Sequence, residues 1–306
     1  MIQPPRPTDL CTMTTNNEVV VIFVFSCLII IATVVVPVDG VTNLKMFIDP
    51  RHVSSKRLGT SPCSTTATTC EPPDSEILSQ QGFFQSRTNN ADRCLLEQFF
   101  PGICQGKYLD VGALDGIHES PTYAFYRVMG WKGVNIEIDP YNYEKLARNR
   151  KDDMANVHAA VCSDPQKTVH YAVSKNDTLH GGVWEYASSY HREQYWPDMT
   201  IYDAIPVKCI PLQSILDKTV GIQKFYFDLA ILNLAGAEFS ALLGIDYNII
   251  SFGVLIIEKN DEANINQQVE DLLHSKGYSL SNVEENCGSS AMWFIHQNFH
   301  RIYQQI

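Results

Sequence analysis

From Tyr108 onward the apolar positions of this chain fall into short continuous runs, separated by stretches with helical spacing. The runs Tyr108–Val111, Gly133–Ile138, Val157–Cys162, Phe225–Leu232 and Phe252–Ile257 have the length and β-branched or aromatic content of buried strands. Between them, Pro140–Arg150 reads as a helix, with Asp139 as its cap and Pro140 at the first helical position. Leu212–Lys218 follows Pro211 as another, Ala237 to Leu243 starts the next, and Ile265–Lys276 closes at Gly277. Upstream, Asp92–Phe100 is amphipathic, with Leu95, Leu96, Phe99 and Phe100 on one face. Repeated alternation of strand and helix predicts an α/β protein with a doubly wound, mainly parallel sheet. Tyr278–Val283 and Ala291–His296 read as a terminal hairpin that adds an antiparallel strand. Lys167–Val173 and Val207–Ile210 are candidate extra strands. The aromatic stretch Trp184–Tyr202 interrupts the alternation where a lid over the sheet's carboxyl edge would sit, or a plain surface loop.

The amino-terminal pattern is different. Val19–Val36 carries no charge and is long enough at 1.5 Å per residue to cross most of a bilayer's hydrocarbon core. It is expected to be a transmembrane helix acting as a signal anchor after a tail of residues 1–18, with a cleaved signal peptide as the rival. Residues 37–75, with a stretch rich in Ser, Thr and Pro, read as a solvated stalk, and residues 76–306 as the folded domain. Lys45 and Arg51 after the span argue by the positive-inside rule for a cytoplasmic domain. Seven cysteines beyond the span and the glycosylation acceptor Asn176-Asp177-Thr178 argue for a lumenal one, in the endoplasmic reticulum or Golgi, and the chain is expected there as a single-pass glycoprotein. Cys63 with Cys70 and Cys94 with Cys104 are the local disulfide candidates; reduced, buried thiols are the alternative.

Charge narrows the partners. A net charge of −11 without any basic stripe argues against a nucleic-acid surface. No C-x-x-C occurs, so a zinc site of the usual spacing is not indicated and no metal is expected.

The candidate chemistry lies in Lys107–Gly116, KYLDVGALDG, a buried strand ending in an acid and a glycine-rich turn. It lacks both the G-x-G-x-x-G dinucleotide fingerprint and the G-K-[ST] of a phosphate loop. The next strand delivers Glu137 about twenty residues after the turn, the spacing at which an acid commonly holds ribose hydroxyls. An acidic pair without phosphate-binding features suits a nucleoside with a neutral or positive tail, and S-adenosylmethionine leads the candidates. A turn with only a structural role is the alternative.

Several blocks in order, LSQQGFF (Leu78–Phe84), KYLDVGALDGIHES, MGWKGVNIEIDPYNYEKLARNR (Met129–Arg150), HAAVCSD (His158–Asp164), PLQSILD (Pro211–Asp217) and LNLAGAEFSALLGID (Leu232–Asp246), resemble the FkbM-type methyltransferases over roughly Glu76–Tyr278. The resemblance implies a Rossmann-like class I methyltransferase fold, S-adenosylmethionine as cofactor, and methyl transfer, often to oxygen. By the same resemblance Asp110, Gly112, Ala113 and Gly116 line the methionine end, Glu137 holds the ribose, and Ser163 lies near the adenine edge. Where the family pattern reads L-D-V-E-G-A-E this chain has Leu232-Asn233-Leu234-Ala235-Gly236-Ala237-Glu238, so two acids become Asn233 and Ala235; Pro121 replaces an Asn. An Asn accepts no proton at neutral pH, so Asn233 can only orient a hydroxyl. His118, Glu119, Asp115 and Glu258 are the replacement bases within reach by sequence, with His118 carried forward. The expected function is a membrane-anchored O-methyltransferase acting on a carbohydrate or lipid-linked acceptor. The alternative is a catalytically impaired member serving as an interaction module.

Overall fold

The computed structural model describes residues 11–15, 18–25, 28–35, 65–86, 90–174, 177–282, 287 and 290–303. The chain divides into two compact units, Met1–Thr60 and Ser61–Ile306.

The first unit contains three strands, β1 (Cys11–Thr15), β2 (Glu18–Phe25) and β3 (Leu28–Val35), paired antiparallel in that order. Register places Ile22 against Ile31 and Val20 against Thr33. Within the run Val19–Val36, where a transmembrane helix is expected, the described residues Val19–Phe25 and Leu28–Val35 pair as strands, and no helix among the described residues is long and apolar enough to cross a membrane. The Val, Ile and Thr content supplies the reason, since β-branched side chains lose rotamer freedom in a helix and pack well on a pleated surface.

The second unit opens with β4 (Thr68–Thr69), α1 (Ser75–Gln80), α2 (Ala91–Cys94, continued as a π-helical turn over Leu95–Phe99), β5 (Ile103–Cys104) and β6 (Lys107–Val111). Next come α3 (Tyr123–Arg127), β7 (Lys132–Glu137), α4 (Pro140–Asn149), β8 (Ala155–His158), β9 (Ala160–Cys162), β10 (Thr168–Ser174) and β11 (Asp177–Val183). They are followed by α5 (Ser189–Tyr195), β12 (Ile205–Pro211), α6 (Leu212–Thr219), β13 (Phe225–Leu232), α7 (Glu238–Leu243) and β14 (Ile250–Glu258). The chain ends with α8 (Ala263–Ser275), β15 (Tyr278–Leu280), β16 (Ala291–His296) and α9 (Phe299–Tyr303).

Seven strands form the main sheet in the order β15-β16-β14-β13-β6-β7-β8. All neighbours are parallel except β16, which runs antiparallel to β14 and β15. The doubly wound sheet and its antiparallel final strand are thus as the alternation implies. From β6 the chain winds outward through β7 and β8, then returns to β13 on the other side. The crevice at the carboxyl ends of β6 and β13 is the topological switch point, where open α/β sheets bind ligands.

Both faces of the sheet are covered, so its central strands are apolar throughout rather than alternating. On one face Leu109, Ile136, Phe227 and Leu255 pack with Leu216, Leu242 and Leu273 from the helices. On the other, Tyr108, Ile231 and Val254 meet Leu95, Phe100, Phe125, Trp131 and Trp293.

Three departures from expectation have local causes. The domain does not begin at Glu76: Thr68 pairs with Cys104, Thr65 Oγ1 donates to Asp228 at 2.5 Å, and Asp74 caps α1, so the end of the expected stalk belongs to the folded unit. That pairing brings Cys70 to Cys104, and two further disulfides join Cys94 to Cys287 and Cys162 to Cys209, the three with Cα separations of 5.9, 5.6 and 5.8 Å. They replace the expected Cys63–Cys70 and Cys94–Cys104 pairs, because the fold brings together cysteines far apart in sequence. Cys63 and Asn176 lie outside the described residues. Finally, the strand expected over Val157–Cys162 breaks at Ala159, whose N–H turns to Glu137 O. Its second half, β9, joins a separate sheet of order β11-β10-β12-β9.

Candidate functional site

The glycine turn after β6 is anchored on both sides. Gly112 and Ala113 donate their N–H groups to Ile136 O on β7 at 2.9 and 3.1 Å, while Asn233 donates to Val111 O at 2.9 Å. Gly112 has φ +86°, and a Cβ there would lie 1.9 Å from Asn233 O, so only glycine lets the turn close against β13. Gly116 has a different task. With φ +77°, its missing Cβ would strike Leu146 and Arg150, and it packs the turn onto α4 rather than lining a cavity.

Glu137 stands at the end of β7, buried beside this turn. Leu114 N donates to one of its carboxylate oxygens at 2.8 Å and Asp139 N to the other at 2.7 Å. The Ile138 N–H is a third backbone donor, and a carboxylate has about four acceptor positions, so capacity for a further donor remains. Burial raises its pKa to about 7.

Asp110 is held from beneath. Its carboxylate accepts from Thr122 Oγ1 at 2.7 Å and Ser120 Oγ at 3.5 Å. Fully buried Arg150 donates to Ser120 Oγ (2.8 Å), Thr122 Oγ1 (3.0 Å) and Gly116 O (2.6 Å). One guanidinium therefore ties the acid, its hydroxyl partners and the turn together. Burial pushes the Asp110 carboxyl up, and the Thr122 bond and Arg150 charge work against that. At the rim, His118 Nδ1 meets Asp115 at 2.6 Å with its ring largely exposed. Burial raises the Asp115 carboxyl, but its bonds to His118 and to the Ile117 N–H outweigh that and hold it below its ordinary value.

A cavity of about 580 Å³ opens here, lined by Asp110, Gly112, Ala113, His118, Glu137 and Asn233 among others. Six of the eight residues singled out in the sequence thus meet at one site. Gly116 and Ser163 are not among the lining residues. Ser163 instead bonds Ser240 on α7 through its N–H at 3.2 Å, because β9 leaves the main sheet and Ala159 and Val161 take the cavity wall.

The far end is built from other parts of the chain. Asn233 exposes its side chain, and Ala235 sits in the left-handed region at φ 51°. The loop after β13 is clasped by two carboxylates. Glu238 accepts from Leu234 N at 2.6 Å and Gly236 N at 3.0 Å, and Glu258 accepts from Ala235 N. Leu232 pairs with Ile257, so Glu258 follows in register beside Asn233, at the end of the neighbouring strand. Burial, then the neighbouring Glu258 charge, pushes the Glu238 carboxyl well up; burial does the same for Glu258.

Sequence reasoning missed His180, Tyr190, His191, Tyr195 and Asp261, which also line the cavity. They come from β11, from α5 and from the loop after β14. The expected lid segment does contribute, since Trp184–Tyr202 contains α5. Trp196 Nε1 donates to His180 O at 3.0 Å, the His180 ring stacks on Tyr195 at 4.0 Å, and Ser188 both caps α5 and donates to Asp261. The aromatic density of the segment was the available signal. Among the described residues no group of three or more His, Cys, Asp or Glu is placed to hold a metal ion.

Comparison with known proteins bears on this geometry. The family described as Methyltransferase FkbM domain matches residues 110–280. Among solved structures, a methyltransferase FkbM from Methylobacillus flagellatus KT is 15% identical, with 72% of this chain and 51% of that one covered at a TM-score of 0.40. A TehB-like S-adenosylmethionine-dependent methyltransferase from Corynebacterium glutamicum is 11% identical, covering 72% of this chain and 94% of its own at 0.35. A putative S-adenosylmethionine-dependent methyltransferase from Methanococcus maripaludis is 13% identical, covering 72% and 90% at 0.36. No curated protein sequence matches the chain. The strand order of the main sheet is that of the class I methyltransferase-like α/β fold.

Proposed function

The chain belongs to the FkbM methyltransferase family, and from that premise we propose that it is an O-methyltransferase acting on a carbohydrate or lipid-linked hydroxyl. Family membership implies S-adenosylmethionine as the cofactor. The residues present fit it: a turn that only glycine allows gives backbone access, and Glu137 keeps acceptor capacity toward the cavity. When bound, the cofactor supplies a methyl group already activated on sulfur, so positioning supplies much of the rate. Glu137 holds the ribose hydroxyls; Asp110, Gly112 and Ala113 line the methionine end. Asn233 orients the acceptor hydroxyl, and Glu258, beside it in register, receives the proton in place of the missing acids. Glu137, held by backbone N–H groups at the edge of the cavity, is the observation that carries this reading.

The Asn233 and Ala235 replacements favour a second reading, an interaction module that keeps the fold. Transfer of labelled methyl from S-adenosylmethionine to a glycan mixture by the full-length chain, lost in Glu258→Gln, supports the enzyme. Cofactor binding without transfer to any acceptor supports the interaction module.

We also propose that the domain works in the lumen of the secretory pathway on a single-pass anchor. Three disulfides suit an oxidising compartment, and the charge-free Val19–Val36 run suits an anchor. An open sheet leaves unpaired backbone at its edges, which hydrocarbon does not tolerate, so insertion requires this run to become helical. Resistance to carbonate extraction, with glycosylation at Asn176, is the expected result; release into the soluble fraction of the cytosol contradicts it.

A further inference from the structure

The cavity as a whole carries an uneven charge. Five carboxyl side chains, Asp110, Glu119, Glu137, Glu258 and Asp261, line the cavity among the described residues, against the single lysine Lys259 and no arginine. Glu258 and Asp261 line the acceptor end together with the amides of Asn233 and Asn260, the ammonium of Lys259 and the rings of His180 and His191. The segment over this end contributes apolar and aromatic surface instead: Tyr190 is 60% exposed and Leu179 51% exposed, and Tyr195 is stacked on His180. Amphipathic rings next to hydrogen-bonding acids and amides suit a ligand with C–H faces and a rim of hydroxyls. A phosphate or carboxylate entering the same space would meet the like charges of Glu258 and Asp261, with Lys259 the single lysine among the lining residues and no arginine fork to receive it.

We propose that the acceptor end selects by charge, taking an uncharged polyhydroxyl acceptor such as a neutral glycan and rejecting acceptors that carry phosphate or carboxylate near the reacting hydroxyl. This rests on reading the cavity as a joint cofactor and acceptor site. Tyr190 supplies the ring surface, Asn233 and Asn260 bond hydroxyls as donors or acceptors, and Glu258 and Asp261 accept hydroxyl hydrogen bonds while repelling anions.

Saturation-transfer NMR on the full-length chain, loaded with S-adenosylhomocysteine, tests this. The probes are methyl glycosides of neutral hexoses, a hexose phosphate and a hexuronate. Neutral glycosides should receive saturation at least tenfold more strongly than either anion. Tyr190→Ala should cut the neutral signal about fivefold, and Glu258→Gln should raise the hexuronate signal. Equal or stronger transfer to the anionic probes overturns the proposal. Calorimetric titration of S-adenosylhomocysteine into the same sample separates the two levels. Failure to bind it removes the cofactor reading and this inference with it, whereas cofactor binding without contact to any neutral glycoside overturns this inference alone.

Discussion

The two ends of the cavity are built in opposite ways. The cofactor end comes from contiguous chain: β6, its glycine turn, α4 and β7 supply Asp110, Gly112, Ala113, Arg150 and Glu137 within 41 residues, and backbone N–H groups hold the key carboxylate. The acceptor end is assembled from β11, α5, the β13 loop and the end of β14, over residues 179 to 261. Its carboxylates are held by partners distant in sequence, Glu258 by the Ala235 N–H and Asp261 by Ser188 Oγ. The difference teaches that an end fixed by local backbone is rigid in its chemistry, while an end gathered from distant loops can lose acids at 233 and 235 and still present one at 258.

The comparison can be broken most sharply at Gly112. Because a Cβ there meets Asn233 O at 1.9 Å and φ is +86°, Gly112→Ala should destabilise the fold by about 3 kcal/mol or more, measured by denaturant unfolding. Next, Glu137→Ala should weaken S-adenosylmethionine binding about a hundredfold, as loss of its charge-assisted hydrogen bonds to the ribose requires, and should cost about 1–3 kcal/mol of stability because the Leu114 and Asp139 N–H groups lose their acceptor.

pH separates the ends more gently. Glu137, Glu238 and Glu258 all have folded pKa values above their ordinary ones, Glu137 at about 7. The stability they contribute is present below about pH 4.5 and is lost as pH rises through the folded values. His191 and His296 are held below their ordinary value by burial and act in the opposite sense, offsetting a small part of this loss until their unfolded forms are neutral too, at about pH 7.5. Between pH 6.5 and 8.5 the cofactor-free chain should therefore lose about 2–4 kcal/mol, read from thermal or urea unfolding. The smallest effect is at the acceptor end alone. Glu258→Gln removes one of two close carboxylates, so it should stabilise the chain by about 1 kcal/mol at pH 8.5 and by less at pH 5.5, while cofactor affinity stays within about twofold.

The cofactor end was legible because its signals are local. A strand, a glycine turn and an acid about twenty residues on can be read without knowing what packs where. The alternation also gave the main sheet, including β16. The acceptor end was not legible, since His180, Tyr195 and Asp261 become neighbours only after β11 and α5 fold over the switch point. Ser163 failed for a related reason: a break at Ala159 diverts β9 to a second sheet, and nothing in HAAVCSD signals it. The disulfides likewise depended on β4 meeting β5 and on Cys287 lying far from Cys94 in sequence. At the amino terminus, absence of charge suggested a helix, while β-branching carried the strand pairing seen in β2 and β3.

Calorimetric titration of S-adenosylmethionine into the full-length chain at pH 8, beside Glu137→Ala and Glu258→Gln, tests the central claim most directly. Saturable one-to-one binding that collapses in Glu137→Ala and persists in Glu258→Gln is the predicted result. Absence of binding by folded wild-type chain, or equal loss in both variants, would contradict a cavity whose cofactor end is whole and separate from its acceptor end.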